Sequence, residues 1–482
     1  MNLLITILAT FFVRDVVPQP VYAADTSLVE LYYTAWEMAR DHIRHDPGLA
    51  SPVYMDEGCL DNNGPKTIWI WDTALMSLYC KYAPDHFPGV ESLRNFYAPI
   101  LDGKPSSLSI HHPDNPPLFA WVEYENFKFT ADRTHLDTLL LDDRYLQRYY
   151  DYFNHLDNTT KFGFKHRPVA LENCGIGFKW SGNQSGMDNT PRARAGEILW
   201  VDAISQQALS ALYISRLADV CSDRKTSKLF RKEYQRLKEI VNKYYWDEVD
   251  GCYYDIKLSD TTVTRILTMG SFWPMMAEIP SRKQAEKMAS FALAENRLGG
   301  KYPWKSLSAE DPDYFEAGGK YWCGGIWLPT AYMGIKALEK YGMRELADQT
   351  AEKLLGQMNR TFHQYNPHSI WECYNPSADT PANSKRKPVV RKDFCGWSAL
   401  GPISLFIENI IGIYEVDALK GVVKWNIHHE FEHGLRNLRF GDATVDLIYS
   451  DGMIDIKTDR SFTLIVGNRK FRVKSGESTL KL

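Results

Sequence analysis

Two acidic residues stand in settings that suit proton transfer. Asp188 lies in the run Ser185-Gly186-Met187-Asp188-Asn189-Thr190-Pro191-Arg192. Gly182 and Gly186 free the backbone there, and Pro191 delays the next helix. A carboxyl on such a loop, rather than on a helix face, is placed for a ligand, although the same Asp-Asn pair would equally serve as a turn or cap. Glu372 lies in Ser369-Ile370-Trp371-Glu372-Cys373-Tyr374-Asn375-Pro376. Aromatic neighbours desolvate a carboxyl and raise its pKa, which suits an acid or base near neutral pH. The competing reading is a salt-bridged Glu on a buried loop.

Aromatic segments accompany them. In Thr67-Ile68-Trp69-Ile70-Trp71-Asp72-Thr73, Trp69 and Trp71 at strand spacing would form one aromatic wall, and Asp72 is a ligand group or a helix N-cap. Tyr321-Trp322-Cys323-Gly324-Gly325-Ile326-Trp327 sets a Gly turn between Trp residues just before a helix. Fourteen Trp and 27 Tyr exceed what a core of this size needs. Flat indole and phenol faces stack on the C–H face of a pyranose, although an aromatic-rich helical core accounts for most of them.

Other chemistry is excluded or set aside. His429-Glu430-Phe431-Glu432-His433 satisfies H-E-x-x-H, but zinc chemistry on that motif needs a helix. Its flanks alternate with period two, and on a strand the two His residues would lie more than about 13 Å apart. His42, His45, His111 and His112 have no supporting ligands nearby and read as surface or structural. There is no Walker A, G-x-G-x-x-G or G-x-S-x-G segment.

The elements that must position these residues are mainly helical. Thr26 to about Arg44 places apolar residues on one face, with Thr26 or Ser27 as N-cap. Similar periods appear near 72–83, 90–101, 117–131, 142–157, 197–220, 224–246, 266–278, 282–295, 326–341, 344–359 and 397–414. Tight links such as Ser222-Asp223 make neighbouring helices antiparallel. Long segments rich in Gly, Pro, Asn and Trp separate some pairs and carry nearly every polar motif, as functional loops do. Successive helical hairpins with elaborated loops fit an all-α (α/α)6 toroid. After about Asp417 the period becomes two, with Val423, Trp425, Ile427, His429 and Phe431 alternating and turns at Gly441-Asp442 and Ser450-Asp451-Gly452. The expected domains are therefore a signal over 1–23, a helical domain over 24–416 and a β-rich domain over 417–482.

Net charge is −4, which gives no electrostatic footprint for nucleic acid or an anionic membrane. The apolar stretch Leu3 to Val13 and then Val21-Tyr22-Ala23 read as a secretory signal cleaved near Ala23, so a periplasmic or secreted protein, free of the membrane after cleavage, is expected. The eight cysteines form no C-x-x-C, and one or two bridges after export stay open.

Taken together, the quoted segments resemble those of the inverting glycoside hydrolases of families sixty-three and thirty-seven, which include processing α-glucosidase, mannosylglycerate hydrolase and trehalase. S-G-M-D-N-T-P-R at 185–192 resembles the segment carrying the general acid, and W-E-C-Y-N-P at 371–376 the one carrying the general base. W-I-W-D at 69–72 is similar to the Trp-Asp pair that holds the sugar. Y-W-C-G-G-I-W at 321–327 is close to Y-W-R-G-P-x-W, with Cys323 and Gly325 departing from it. N-P-P-L-F-A-W at 115–121 and F-C-G-W-S-A-L-G-P at 394–402 also match. The resemblance spans roughly residues 55 to 415 and implies the (α/α)6 barrel.

It implies Asp188 as acid, which requires a raised pKa, and Glu372 as base. It also implies sugar contacts from Trp69, Trp71, Asp72, Gly186, Asn189, Arg192, Trp322, Trp327, Trp371, Tyr374 and Trp397. An inverting pair stands about 6.5–9.5 Å apart to admit a water. The expectation is an exo-acting, monomeric, α-glucosidase-like enzyme on an oligosaccharide or glycoside. No cofactor or catalytic metal is expected, and a structural calcium is left open. A polysaccharide lyase would instead give unsaturated products, and a glycan-binding protein would be indifferent to Asp188→Asn.

Overall fold

The computed structural model describes residues 13–57, 67–156, 170–384 and 386–482. Every expected helical stretch is present. They are α1 (Thr26–Asp41), α2 (Ile70–Cys80), α3 (Arg94–Asp102), α4 (Phe119–Thr130), α5 (Tyr145–His155), α6 (Val201–Val220), α7 (Arg224–Tyr244), α8 (Trp273–Met276), α9 (Arg282–Ala292), α10 (Leu328–Lys340), α11 (Arg344–Gln364) and α12 (Gly401–Ile410). The stretch near 266–278 shrinks to a tight turn followed by α8, ended by Glu278 with φ 57°. The N-cap of α1 is Asp25, one residue before the expected Thr26 or Ser27; its carboxylate accepts the Ser27 N–H at 2.9 Å.

The helices divide by sequence pattern into two kinds. All of α2 and nearly all of α6 are buried, polar residues such as Asp202, Gln206 and Gln207 of α6 included. α7 buries only one stripe, with Phe230, Tyr234, Leu237 and Val241 recurring every three to four residues, and lays it on α6. The buried helices follow one another in space: α2 packs on α4, α4 on α6, α6 on α8, and α8 on α10. α10 then meets the turn Trp397–Leu400, which returns to α2. α1 and α11 flank α12 from outside.

In chain order the strands used below are β1 (Gln19–Tyr22), β2 (Thr67–Trp69), β3 (Ser109–His111), β4 (Ile413–Asp417), β5 (Val422–Trp425), β6 (His433–Phe440), β7 (Ala443–Ser450), β8 (Met453–Thr458), β9 (Phe462–Val466), β10 (Arg469–Val473) and β11 (Gly476–Lys481). The C-terminal region is indeed β-rich, and it holds two sheets, ordered β1-β6-β7-β8-β11 and β4-β5-β9-β10. The single alternating run expected from Val423 to Phe431 breaks after Trp425. Its indole N–H donates to Ile411 O at 2.7 Å, and the Asn426 N–H to Gly412 O at 2.8 Å, which turns the chain onto α12. Consequently His429 and His433 are not strand neighbours; their ring centroids lie 5.5 Å apart across a bend.

β1 comes from far up the chain and pairs antiparallel with β6, Tyr22 opposite His433. Val13 and Val17 are buried beside it. The expected cleavage pattern Val21-Tyr22-Ala23 thus lies partly within a sheet. The seven cysteines among the described residues are free, so no bridge forms among them; Cys59 lies outside the described residues.

At the end of the bundle nearest β4, Glu408 on α12 is buried between Lys81 (Nζ to Oε1 3.1 Å) and Lys336 on α10 (Nζ to Oε2 2.7 Å), and accepts the Tyr82 and Tyr332 hydroxyls. Burial alone would raise its pKa, but the Lys336 and Lys81 ammoniums overcome that and hold it at about 2. Its folded value lies below the unfolded one, so its stabilisation is present above about pH 4.5 and is lost as pH falls toward 2. Removing one partner of a buried cluster leaves charge unmatched. Glu408→Ala should therefore lower unfolding free energy by about 3–5 kcal/mol in denaturant titrations at pH 7, with a smaller deficit near pH 3. Equal stability of variant and parent at pH 7 would refute this role.

Candidate active site

The parallel pairing of β2 with β3 sets Trp69 opposite His111, ring centroids 5.3 Å apart. Immediately after Trp69 the chain turns into α2, so Trp71 is on a helix rather than at the expected strand spacing, and Asp72 lies within that helix's first turn. Both still reach the same cavity. Asp72 does not cap α2; the cap position is Trp69, which makes no side-chain cap bond. Burial, and then Glu57 beside it, push the Asp72 carboxyl well above its ordinary range.

The cavity, ≈ 250 Å³, is lined by Glu57, Trp69, Trp71, Asp72, His111, His112, Asn115, Asn183, Gly186, Asp188, Tyr321, Trp322, Trp327, Arg391 and Trp397. A second, ≈ 630 Å³, shares Asn183, Asp188, Tyr321 and Arg391 with it and adds Asn189, Glu372, Ser384, Arg386, Lys387 and Val390. Asp188 and Glu372 therefore face one continuous space. Another cavity of ≈ 440 Å³ surrounds Glu408, but the carboxylate there is matched by lysines.

The Asp188 loop is held from three sides. Gly186, at φ 81°, lies so close to the Trp71 indole that a Cβ would stand 3.0 Å from its ring. The Asn115 amide donates to Gln184 O at 2.8 Å. Asn189 reaches across the cleft, accepting the Trp322 N–H at 2.8 Å and donating to Lys320 O at 2.9 Å. That clamp fixes the turn in which Lys320 and Tyr321 both have positive φ, 39° and 70°.

Tyr321 then donates its hydroxyl to Glu372 Oε1 at 2.9 Å. The Arg391 guanidinium reaches the same oxygen at 3.1 Å, and the Arg391 backbone N–H reaches Oε2 at 3.3 Å. Burial pushes the Glu372 carboxyl up to about 7; the Tyr321 and Arg391 donors oppose the rise, and the Glu57 and Asp188 charges add to it. Trp397 supports the loop from behind, its indole N–H donating to Glu372 O at 3.0 Å. Trp322 and Trp327 stack face to face, 4.1 Å between centroids and 6° between planes.

Three expected sugar contacts are corrected. Arg192 is fully buried and lines neither cavity. Its guanidinium forks onto Asp202 at 2.6 and 2.9 Å and holds Asp255 through Nε at 2.7 Å, above the Trp200 ring. Trp371 and Tyr374 line neither cavity; Trp371 packs on Tyr365, and the Tyr374 hydroxyl accepts the Trp371 N–H. The remaining expected residues, Trp69, Trp71, Asp72, Gly186, Asn189, Trp322, Trp327 and Trp397, do line the space. His111 and His112, read above as surface or structural, line it too.

Glu57 and Arg391 were not anticipated. The departure at Cys323 is resolved locally: its thiol faces Asn189. The guanidinium at the site comes instead from Arg391, 68 residues further on. No local pattern marks either residue.

Comparisons with known proteins agree with this geometry. Residues 101–387, more than half of the chain, match the mannosylglycerate hydrolase MGH1-like glycoside hydrolase domain. A protein of Borreliella burgdorferi is 25% identical over 493 residues, covering 96% of this chain and 98% of its own. Among solved structures, a sialidase superposes with TM-score 0.72 at 13% identity over 98% of this chain, which spans 40% of that protein's length. The GH63 mannosylglycerate hydrolase of Thermus thermophilus, in complex with glucose, gives 0.59 at 16% identity over 78% of this chain and 99% of its own. Neutral trehalase of Saccharomyces cerevisiae gives 0.54 at 15%, over 75% and 76%. At such identities the structural likenesses speak for the fold.

The correction at Arg192 has a measurable consequence. Arg192→Ala leaves Asp202 and Asp255 buried without a counterion and should cost about 3–5 kcal/mol of stability. Arg192→Lys keeps the charge but loses the fork, so it should lower both Tm and kcat/KM. A raised KM with unchanged Tm would restore Arg192 as a sugar contact.

Six agreeing segments, two carboxyls facing one aromatic-walled space and the family match lead to one statement: the chain belongs to the mannosylglycerate hydrolase MGH1-like glycoside hydrolase family and is a glycosidase.

Proposed function

We propose that the chain is an exo-acting, inverting, α-glucosidase-like enzyme in which Asp188 is the general acid and Glu372 the general base. The observation that carries this reading is that both carboxyls face one space, while every hydrogen bond to the Glu372 carboxyl comes from a donor. A carboxylate surrounded by donors is held in its accepting form, as a base must be. At a lone pair not taken by the Tyr321 and Arg391 donors, Glu372 would take a proton from water as that water attacks the anomeric carbon. Asp188 would protonate the departing glycosidic oxygen.

Exo action is supported by the size and lining of the smaller cavity. At ≈ 250 Å³ it is below the range usual for drug-sized ligands and suits one sugar ring. Trp69, Trp71, Trp322 and Trp327 give it apolar faces, and Asp72 with Glu57 gives it hydroxyl-binding groups. The closing succession of packed helices fits the (α/α)6 toroid expected from the resemblance.

One observation favours a second reading, with the roles exchanged. A carboxyl at about 7 still holds its proton through much of the neutral range, which suits an acid. The two readings have opposite signs. As base, Glu372 must be ionised, so kcat/KM rises with pH through about 7; as acid it must be protonated, so kcat/KM falls above about 7.

Asp188→Asn and Glu372→Gln should each reduce hydrolysis by about 10²–10⁴-fold while Tm is retained. Screening on nitrophenyl α-glycosides, followed by NMR of the first-formed anomer, should show inversion. Near-parent turnover in either variant sinks the assignment, and a retained anomer sinks the inverting mechanism.

Export is part of the same proposal, supported by the apolar Leu3–Val13 run, and a monomeric state is proposed with it. Cleavage after Ala23 would remove β1 from its sheet. N-terminal sequencing of the exported protein decides whether that strand is kept.

A further inference from the structure

Away from the cleft, three ligating side chains meet where the helical and β-rich regions join. One donor atom each from Glu352, His428 and His429 lies within 4.8 Å of the others. Glu352 is on α11; the two His residues are in the bend between β5 and β6. None of them lines the space that holds Asp188 and Glu372. We propose that Glu352, His428 and His429 form a binding site for a divalent cation of the zinc type, which ties α11 to the β5–β6 bend.

The hydrogen bonds of the imidazoles are those of metal ligands. His428 Nδ1 meets Asn426 O at 3.1 Å, and His429 Nε2 meets Ile410 O at 3.1 Å. A carbonyl only accepts, so those nitrogens carry the protons. In the neutral rings that a metal would bind, the lone pairs are therefore on His428 Nε2 and His429 Nδ1. A ring N–H anchored to a carbonyl is the usual outer support of a metal-bound His, fixing tautomer and ring direction.

The distance between His428 and Glu352 fits as well. Zinc–nitrogen and zinc–oxygen bonds of about 2.0–2.2 Å place tetrahedral ligands about 3.4 Å apart. His428 Nε2 and Glu352 Oε1 are 3.6 Å apart, too long for a hydrogen bond and close to that edge.

The bend is held to the helix by contacts that need no metal. Asn426 donates to Asp348 Oδ2 at 2.8 Å, and Asp348 stands one helical turn before Glu352. Phe431 stacks on the His429 ring at 4.7 Å, and Tyr22 of β1 meets its edge at 5.7 Å. Two imidazoles and one carboxylate form a borderline donor set, suited to zinc, whereas calcium and magnesium prefer sets of oxygens. A water would complete the tetrahedron. The H-E-x-x-H run contributes only its first His; Glu430 is exposed, and His433 turns Nδ1 to Phe431 O.

The test uses the full chain without a histidine tag, stripped with a chelator. Isothermal titration with ZnCl2 should give one site per chain, and zinc, unlike CaCl2 or MgCl2, should raise Tm. Glu352→Gln and the pair His428→Asn with His429→Asn should each weaken zinc at least about tenfold. Both variants should keep their parent circular dichroism and hydrolytic rate, since neither touches the cleft. Absence of saturable zinc binding, affinity unchanged in both variants, or preference for calcium overturns the proposal.

Discussion

A single guanidinium sets the geometry of the cleft, although it never touches it. Arg192 follows the Asp188 loop by four residues and is wholly buried between Asp202 and Asp255. Asp202 lies in the first turn of α6, and Asp255 also accepts the Val201 N–H that opens that helix. The loop is thereby fastened to the start of a central helix rather than resting on the surface. Isolated, each of these charges would be costly to bury; together they satisfy one another through the planar fork that only Arg provides. Gly270 completes the arrangement, since a Cβ there would stand 2.8 Å from Arg192 Nη1.

From that anchor, position passes across the cleft through hydrogen bonds. Asn189 holds the 320–322 turn, and that turn aims the Tyr321 hydroxyl at Glu372. The Asp188 loop and the Glu372 loop are therefore linked by one chain of hydrogen bonds, although 184 residues separate Asp188 from Glu372 in the chain. Catalytic groups on loops need such bracing, because an error of about 1 Å can cost about a hundredfold in rate. The positive φ of Tyr321 is understandable in the same terms: local strain is tolerated where surrounding contacts over-determine the backbone.

What the sequence made legible follows from the range of each interaction. Helix positions were readable because the period of burial is local, and α6 and α7 differ in pattern as they differ in burial. The Asp188 and Glu372 segments were readable because their Gly, Pro and Trp neighbours are contiguous. The resemblance implied a sugar contact from Arg192, and no local pattern could show its buried partners, which lie 10 and 63 residues away. His111 was passed over because its role depends on the pairing of β2 with β3, which no periodicity reports. Glu57 and Arg391 are single residues without a local signature. The alternation through Phe431 was a true pattern with a different cause, since β5 stops where Trp425 and Asn426 bond to the end of α12.

The electrostatics of the cleft follow from crowding. Glu57, Asp72, Asp188 and Glu372 share a small, aromatic-walled space with the Arg391 guanidinium. Burial first, and then the neighbouring carboxylates, raise the Asp72 and Glu372 carboxyls. Arg391 breaks the symmetry. It reaches Glu372 at 3.1 Å and Glu57 at 3.7 Å, lowering the cost of charge on that side of the cleft. On the other side Asp72 is pushed well above the ordinary carboxylate range by burial and then by Glu57. Arg391 thus makes the two sides of the cleft electrostatically unlike, with a charge supplied from far along the chain.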